Sequence, residues 1–251
     1  MRIFNSELVD FFQLMSERES AKAAAKIAQM CMQFAEMTKH VQQMAVCADG
    51  PLVQEDLDLF LYAFKMTINR LRDSWNKLWL EEIKQKEGAN DRLRCLVKEE
   101  KTKVEHELVI TAKTAVQTAR LLMKPDSDFR QTCFLNKMIA DFSRYLVDVY
   151  IHYPESKRLE KEAIDQADQA YSCALSAPGI DATDELYLGS CVNYSLFQFE
   201  ILGKPRNACI LARDALVNCQ ENFNLIKDCP QKVTLMQLLR DNLLLWTSIR
   251  S

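Results

Sequence analysis

Residues 57–79, LDLFLYAFKMTINRLRDSWNKLW, carry apolar side chains at the spacing of an α-helix. These side chains recur at steps of three and four over about six turns, and no Gly or Pro interrupts them. The spacing therefore predicts one long helix with an apolar face. The apolar positions are Leu57, Phe60, Leu61, Phe64, Ile68, Leu71, Trp75, Leu78 and Trp79.

Gly and Pro are scarce in the whole chain, not only in this stretch. The 251 residues include five glycines and six prolines, whereas average usage would supply about thirty. Sheets need tight turns, and tight turns need Gly, Asn-Gly or Pro. The composition therefore excludes a large β-protein and a nucleotide-binding fold built on glycine-rich loops.

The remaining Gly and Pro residues separate segments with helical spacing, and together they predict an all-α fold. Short connections favour antiparallel neighbours, so we expect one layered helical array. A fixed period of about 34 residues is absent, which disfavours regular tetratricopeptide-like repeats but leaves an irregular curved array open. Ten helices are predicted, near residues 5–16, 19–32, 34–48, 53–86, 90–123, 128–152, 155–176, 183–202, 205–222 and 231–249.

Charge and cysteine usage restrict the classes of partner and compartment. The net charge is −3 and the pI is about 5.8, so no overall positive field favours nucleic acid. The longest uncharged run, residues 186–199, is too short and too polar to span a bilayer. Nine scattered cysteines without a CxxC pair predict buried, reduced thiols in a cytoplasmic protein.

Signals for catalysis, metals and cofactors are weak. The three histidines, His40, His106 and His152, are far apart, and none has a Cys or His at metal-ligand spacing. No phosphate-cradling glycine loop and no paired-histidine metalloprotease motif is present. We therefore predict a protein that is not an enzyme, with no metal and no cofactor.

Two pairs of cations share helix faces at the same spacing. Lys65 and Arg72 are seven residues apart, and so are Lys137 and Arg144, with Tyr145 directly after. One interpretation is a solvated face with local ion pairs, because Asp141 lies between the second pair. The other is a site for one anion, since the planar guanidinium of arginine can donate two parallel hydrogen bonds to phosphate.

Two asparagines lie in otherwise apolar helices. Asn193 and Asn242 need partners if they are buried, and an asparagine amide can pair with both the N–H and the C=O of an extended peptide. A hydrogen bond to a neighbouring helix explains them equally well.

Four segments resemble 14-3-3 proteins in order along the chain. Residues 64–75 (FKMTINRLRDSW) resemble AYKN…RxxSWR, and residues 136–146 (NKMIADFSRYL) resemble KMKxDYxRYL. Residues 189–202 (GSCVNYSLFQFEIL) resemble GLALNFSVFYYEIL, and residues 235–248 (LMQLLRDNLLLWTS) resemble LIMQLLRDNLTLWTS. The chain thus looks like a divergent 14-3-3 protein, with an N-terminal helical extension (1–17) before a 14-3-3-like domain (18–251).

The resemblance implies a nine-helix protomer, plus an extra N-terminal helix here, with a concave groove for phosphoserine or phosphothreonine segments of client proteins. It assigns phosphate contacts to Lys65, Arg72, Arg144 and Tyr145. It assigns the peptide main chain to Lys137, Asn193 and Asn242, with Glu200 as a supporting acceptor near Asn193. It assigns the apolar wall beside the peptide to Val192, Leu196, Leu238, Leu245 and Trp246.

The resemblance also implies a homo- or heterodimer, with an ion pair between Glu36 and Lys103 across the interface. Gln33 stands at a usual arginine position and Glu100 at a tyrosine position, which weakens that interface. The pattern of residues 1–15 predicts an additional helix with an apolar face, which could extend, cover or reorganise the dimer interface. The chain ends at Ser251, so we expect it to lack the acidic tail common in the family.

One departure falls beside the phosphate residues. Asn76 stands where the family has the arginine of SWR, one turn from Arg72, and neither Lys77 nor Arg70 lies on the same face to replace it. We therefore expect phosphopeptide binding to be retained, with lower affinity or altered sequence preference.

The leading hypothesis is an adaptor that clamps phosphorylated clients in the cytoplasm, or also in the nucleus. Its rival is a helical scaffold that binds unphosphorylated peptides or helices through the apolar wall.

Overall fold

The computed structural model describes residues 3–48, 53–86, 90–125 and 127–248, with the backbone alone for residues 3–16 and Lys86. Over these ranges the chain forms nine α-helices and two short 3-10 turns, with no strand, which confirms the all-α prediction. The helices are α1 (Ile3–Met30), α2 (Phe34–Val46), α3 (Gln54–Lys86), α4 (Asp91–Leu122), α5 (Phe129–Tyr150), α6 (Lys157–Leu175), α7 (Glu185–Glu200), α8 (Pro205–Glu221) and α9 (Pro230–Ser248). The 3-10 turns are Pro154–Ser156 and Phe223–Leu225.

The first two predicted helices, 5–16 and 19–32, are one continuous helix, α1. The segment has no Gly or Pro to break it, so the described backbone has nine α-helices rather than ten. The predicted boundary at residue 17 falls inside α1, and the division into domains stays a prediction. The apolar face predicted for residues 1–15 concerns side chains that lie outside the described residues.

The end of α1 is set by a left-handed residue, not by glycine. Met32 has a φ of 56°, and the next N–H, that of Gln33, donates to the carbonyl of Ala28 at 2.9 Å. This bond satisfies one of the carbonyls that every helix end leaves open.

Side-chain caps mark the starts of several helices. Asp128 accepts from the N–H of Gln131 at 2.8 Å at the start of α5, and Asp184 accepts from the N–H of Leu186 at 2.8 Å before α7. Each carboxylate satisfies a backbone donor that the first helical turn leaves unpaired. These caps fix where the helices that carry the candidate site residues begin.

The helices pack as two compact units, Met1–Asp126 with α1–α4 and Ser127–Ser251 with α5–α9. In the first unit α1 packs on α2, α3 packs on α4, and α2 contacts both α3 and α4. Its core includes Met37, Met44, Phe60, Phe64 and Ile68, which are almost fully buried. The apolar face predicted for residues 57–79 supplies three of these five side chains.

An ion network ties α1 to the start of α3 within the first unit. Asp56 is fully buried, with Arg18 Nη2 at 2.6 Å from its Oδ2 and Lys22 Nζ at 2.8 Å from its Oδ1. Glu55, at the surface, contacts Lys22 at 2.8 Å and Lys26 at 2.5 Å. Because the three cations are spaced by four residues, they share one face of α1.

The second unit has its own core, where α5 packs on α6 and α7, α8 and α9 pack on one another. The side chains between α7, α8 and α9 include Leu188, Ala212, Leu239 and Trp246, all nearly inaccessible to solvent. This packing holds α7 and α9, which carry most of the predicted peptide-binding residues.

Candidate functional site

One face of α5 carries the cations predicted in the second unit. Lys137 Nζ lies 2.6 Å from Asp141 Oδ2, one turn further along the helix. Both side chains are about 85% buried, since 15% and 14% of their surfaces are exposed. The ion pair therefore lies in a largely desolvated place, where its geometry is better defined than that of an exposed pair.

Asp141 joins three helices at one carboxylate. Its Oδ1 accepts from Tyr171 Oη of α6 at 2.6 Å and from Asn193 Nδ2 of α7 at 2.8 Å, while Oδ2 accepts from Lys137. Burial, followed by the charge of Asp141, raises the pKa of Tyr171 well above its ordinary value. The phenol is therefore protonated near neutral pH and acts as the donor in this bond.

Arg144, one turn beyond Asp141 on α5, pairs with a residue of α7. Its Nη2 lies 3.2 Å from Glu200 Oε2, and 21% of the arginine side chain is exposed against 47% of the glutamate. A guanidinium carries five N–H donors, so one contact to Glu200 uses a small part of its capacity. The arginine is oriented by a carboxylate while part of its surface meets solvent.

The partner of Glu200 differs from the expectation that it supports Asn193. Asn193 bonds to Asp141, and Glu200 bonds to Arg144. The two α7 residues are seven positions apart, which is about 10 Å along a helix, so one side chain does not reach the other directly.

Tyr145, the remaining predicted phosphate residue of this unit, is half-buried on α5. Its ring centroid lies 6.3 Å from that of Phe142, three residues earlier. The unit thus places Lys137, Arg144 and Tyr145 on one helix, with two of them held by carboxylates.

The predicted apolar wall divides into exposed and buried members. Leu238 and Leu245 of α9 are 43% and 57% exposed, and Asn242 between them is half-buried. This agrees with the shared face that their spacing of four and three residues predicts. On α7, Val192 is 7% exposed and Leu196 is half-buried against the core.

Trp246 differs from the expectation that it belongs to that wall. It is 2% exposed, and its ring stacks on Phe199 with a centroid distance of 4.8 Å and an angle of 11°. An aromatic ring of this size is stabilised by burial, and here the core between α7 and α9 provides it. Little of its surface is left for a peptide.

In the first unit, Lys65 is exposed and Arg72 is half-buried on α3, seven residues apart on one face. Asn76, one turn beyond Arg72, is exposed. Lys77 Nζ contacts Asp73 Oδ2 at 2.6 Å, so this lysine is engaged by its own helix neighbour. The geometry agrees with the inference that Lys77 does not replace the missing arginine.

The two residues predicted for a dimer interface have partners on their own helices. Lys39 Nζ contacts Glu36 at 2.7 Å, and Lys103 contacts Glu100 at 2.8 Å and Glu99 at 3.0 Å. All these side chains are at least half exposed. The cross-dimer pair of Glu36 with Lys103 stays a prediction.

Two buried thiols of the second unit have raised pKa values. Burial raises the pKa of Cys133 to about 11 and that of Cys191 to about 12. Such thiols stay protonated near neutral pH, whereas a nucleophilic cysteine needs a thiolate. Five of the nine cysteines are buried, which agrees with the prediction. Cys31, Cys95 and Cys173 are exposed, contrary to it, and Cys229 is half-buried.

Sequence reasoning did not find Tyr171. It is 30 residues from Asp141, and no spacing rule connects positions on different helices. The carboxylate between Lys137 and Arg144 could be read from the sequence, but the hydroxyl that reaches it from α6 could not.

The helices of the described part of the chain include no stretch with the length and hydrophobicity of a membrane span.

Comparisons with known proteins match nearly the whole chain. The model of the 14-3-3 protein family matches residues 24–247. The checkpoint signal transducer rad25 of Schizosaccharomyces pombe is 30% identical over 238 residues, which is 93% of this chain and 86% of rad25. The 14-3-3-like protein GF14 epsilon of Arabidopsis thaliana is 32% identical over 238 residues, which is 93% of this chain and 91% of the relative.

A third relative is also similar to this chain over nearly its whole length. The 14-3-3 family protein artA of Aspergillus flavus is 32% identical over 235 residues, covering 92% of this chain and 96% of artA. Family match and relatives both span the α5, α7 and α9 segments described above. The chain therefore belongs to the 14-3-3 family of non-enzymatic, phosphopeptide-binding adaptor proteins.

Proposed function

We propose that this chain binds phosphoserine or phosphothreonine segments of client proteins, with Arg144 as the main phosphate ligand. The observation that carries the assignment is the contact of Arg144 with Glu200, which holds the guanidinium in one orientation at a partly exposed position. A pre-oriented arginine can donate parallel hydrogen bonds to a phosphate with less loss of side-chain freedom. Tyr145, Lys65 and Arg72 complete the proposed phosphate contacts by resemblance to the family.

The proposed contacts to the peptide main chain come from α5, α7 and α9. Lys137 and Asn193 are already held by Asp141, and Asn242 lies half-buried between Leu238 and Leu245. The two leucines are the exposed part of the proposed apolar wall, and Val192 and Leu196 support it from α7. Trp246 is a core residue and supports the same wall from the interior of the unit.

Arg144→Ala tests the proposal against the rival scaffold function. We expect the affinity for a phosphorylated peptide to fall by about 2–3 kcal/mol, which is about 30- to 150-fold in Kd. The measurement is a fluorescence titration with the phosphorylated peptide and its unphosphorylated twin. A scaffold that binds through the apolar wall would lose little affinity.

The matched control is Arg158→Ala on α6. Arg158 is 85% exposed and contacts Glu162 at 3.7 Å, so the substitution removes the same charge away from the proposed site. We expect less than about a twofold change. Equal losses in both variants would show a general charge effect and contradict a phosphate contact at Arg144.

We also propose that the chain pairs with a second copy or with a relative, as 14-3-3 proteins do, through Glu36 and Lys103. Both side chains are exposed and carry opposite charge. Light scattering at micromolar concentration should give twice the mass of 29.0 kDa, and Lys103→Glu should lower that value. A mass of one chain for the wild type would contradict pairing with itself.

The proposed site of action is the cytoplasm or the nucleus. All nine cysteines lie in the described part of the chain and carry free thiols, which suits a reducing compartment. Imaging of a fluorescent fusion tests this, and a secreted fusion would contradict it.

A further inference from the structure

The carboxylate of Asp141 orients two side chains at once. Lys137 contacts Oδ2, while Asn193 shares Oδ1 with the hydroxyl of Tyr171. Tyr171 is fully buried, whereas Lys137 and Asn193 keep part of their surface exposed. The hydroxyl that shares Oδ1 with Asn193 therefore belongs to a side chain that solvent does not reach.

The bond to Asp141 also fixes which end of the Asn193 amide faces outward. A carboxylate only accepts hydrogen bonds, so the amide must turn its NH₂ group toward Asp141. The flipped amide would place two oxygens against each other. The amide oxygen of Asn193 is thereby directed away from the carboxylate, where it can accept from a main-chain N–H.

The hydroxyl of Tyr171 limits how Asp141 can rotate. A carboxylate that rotated away from Asn193 to bond Lys137 with both oxygens would leave a buried phenol without its acceptor, which is unfavourable. Charge-assisted O–H···O⁻ bonds of this length are among the stronger hydrogen bonds in proteins.

We propose that Tyr171 is a positioning residue for peptide binding, acting through Asp141 on Lys137 and Asn193. The inference rests on the proposed function of those two side chains as holders of the peptide main chain. Tyr171 itself, being fully buried, does not touch the ligand.

Tyr171→Phe isolates this role because it removes one oxygen and leaves the ring and every charge in place. A substitution of Asp141 would also remove a negative charge beside the proposed phosphate ligands. The loss of that charge would favour binding of an anionic ligand and would mask the loss of positioning. We expect Tyr171→Phe to weaken phosphopeptide binding about fivefold.

The chain offers a matched control in the neighbouring tyrosine. Tyr194 Oη donates to Asp168 Oδ1 at 2.8 Å, and its ring stacks on Tyr171 at 5.3 Å. Lys204 Nζ, which lies 3.8 Å from Asp168 Oδ2, is not one of the proposed peptide ligands. Tyr194→Phe thus removes a similar bond between α7 and α6, and we expect less than about a twofold change in affinity.

A double-mutant cycle separates positioning from packing. In the background Lys137→Met with Asn193→Ala, Tyr171→Phe should have less than about a twofold further effect, because the side chains it positions are gone. Titration by isothermal calorimetry with the phosphorylated peptide gives the affinities, and thermal unfolding verifies that each variant is folded. A full fivefold effect in that background would overturn the positioning role.

A second measurement uses the wild-type protein and does not depend on the variant folding. Side-chain amide hydrogen exchange by NMR should be slower for Asn193 than for the exposed Asn207 of α8. Equally fast exchange would overturn the inference, since Asp141 would then not hold the amide.

The peptide pair distinguishes failure of this inference from failure of the function. If the wild type binds phosphorylated and unphosphorylated peptides equally, both are overturned. If the wild type prefers the phosphorylated peptide but Tyr171→Phe retains its affinity, only the positioning role is overturned.

Discussion

Asp56 in the first unit and Asp141 in the second are both buried carboxylates among cations, but they differ in what their partners do. Asp56 is fully buried, and its two cations, Arg18 and Lys22, come from α1 alone. Asp141 keeps 14% of its side chain exposed and binds donors from three helices. Asp56 joins two helices, whereas Asp141 orients side chains that are partly exposed to solvent.

A buried carboxylate among cations can therefore join two helices, as at Asp56, or orient side chains at a partly exposed surface, as at Asp141. At Asp56 the carboxylate is fully buried, and only 16% of Arg18 and 11% of Lys22 is exposed, so little of this network can reach a ligand. At Asp141 the lysine and the asparagine keep donors and an acceptor beyond the carboxylate.

Asp56→Ala should lower the free energy of unfolding by about 3 kcal/mol, because it removes the buried carboxylate that Arg18 and Lys22 share, although Lys22 keeps its contact with Glu55. Urea denaturation followed by circular dichroism measures the loss. At temperatures where the variant is folded, its phosphopeptide affinity should change by less than about twofold. The exposed Asp58→Ala on the same helix is the control. An unchanged free energy of unfolding would contradict the stabilising role of Asp56 and its difference from Asp141.

Asn193→Ala should have the opposite profile. We expect about 1.5 kcal/mol of lost phosphopeptide affinity, roughly tenfold in Kd, from the missing main-chain hydrogen bonds. Stability should change little, since Asp141 retains Lys137 and Tyr171 as donors. Calorimetric titration and thermal unfolding give both values, with exposed Asn207→Ala as the control. A large loss of stability with unchanged affinity would make Asn193 a structural residue like Asp56.

Asn76→Arg should strengthen phosphopeptide binding by about 1 kcal/mol, about fivefold in Kd, because it adds a cation one turn from Arg72. Asn76→Gln lengthens the side chain without adding charge and is the matched control. Fluorescence titration at two salt concentrations should show a steeper salt dependence for the arginine variant. Equal gains from both substitutions would mean that side-chain length, not charge, is what the site lacks.

Glu55→Gln should have the smallest effect, and that effect should depend on pH. Hydrogen bonds from Lys22 and then Lys26 lower the pKa of Glu55 to about 2 from its ordinary value of 4.5. A lowered folded-state pKa adds stability above about pH 4.5, and this stability is lost as the pH falls toward 2.

Thermal unfolding of Glu55→Gln and wild type from pH 6 to pH 2 tests the sign. The wild type should melt at a slightly higher temperature at pH 6, and the difference should shrink toward pH 2. Exposed Glu107→Gln on α4 is the control. A difference that is constant across this range would contradict the role of the Glu55 carboxylate.

Sequence reasoning predicted the features that lie within one helix. The spacing of Lys137, Asp141 and Arg144 predicted their shared face on α5. Helical periodicity is a local property, so one sequence is enough to read it.

Features that depend on packing between helices were predicted less well. The burial of Trp246 against Phe199 and the bond from Tyr171 to Asp141 join positions that are 47 and 30 residues apart. The continuity of α1 was missed for another reason, since a helix boundary was placed between residues 16 and 19, where no Gly or Pro ends a helix.

The most direct test of phosphate-dependent binding is a calorimetric titration of the wild-type protein with one phosphorylated peptide and its unphosphorylated twin. A phosphate carries about two negative charges and three acceptor oxygens, so it can form several charge-assisted hydrogen bonds with arginine and lysine. We expect the phosphorylated peptide to bind at least about 100-fold more tightly. Equal affinities for the two peptides would contradict phosphate-dependent binding by this chain.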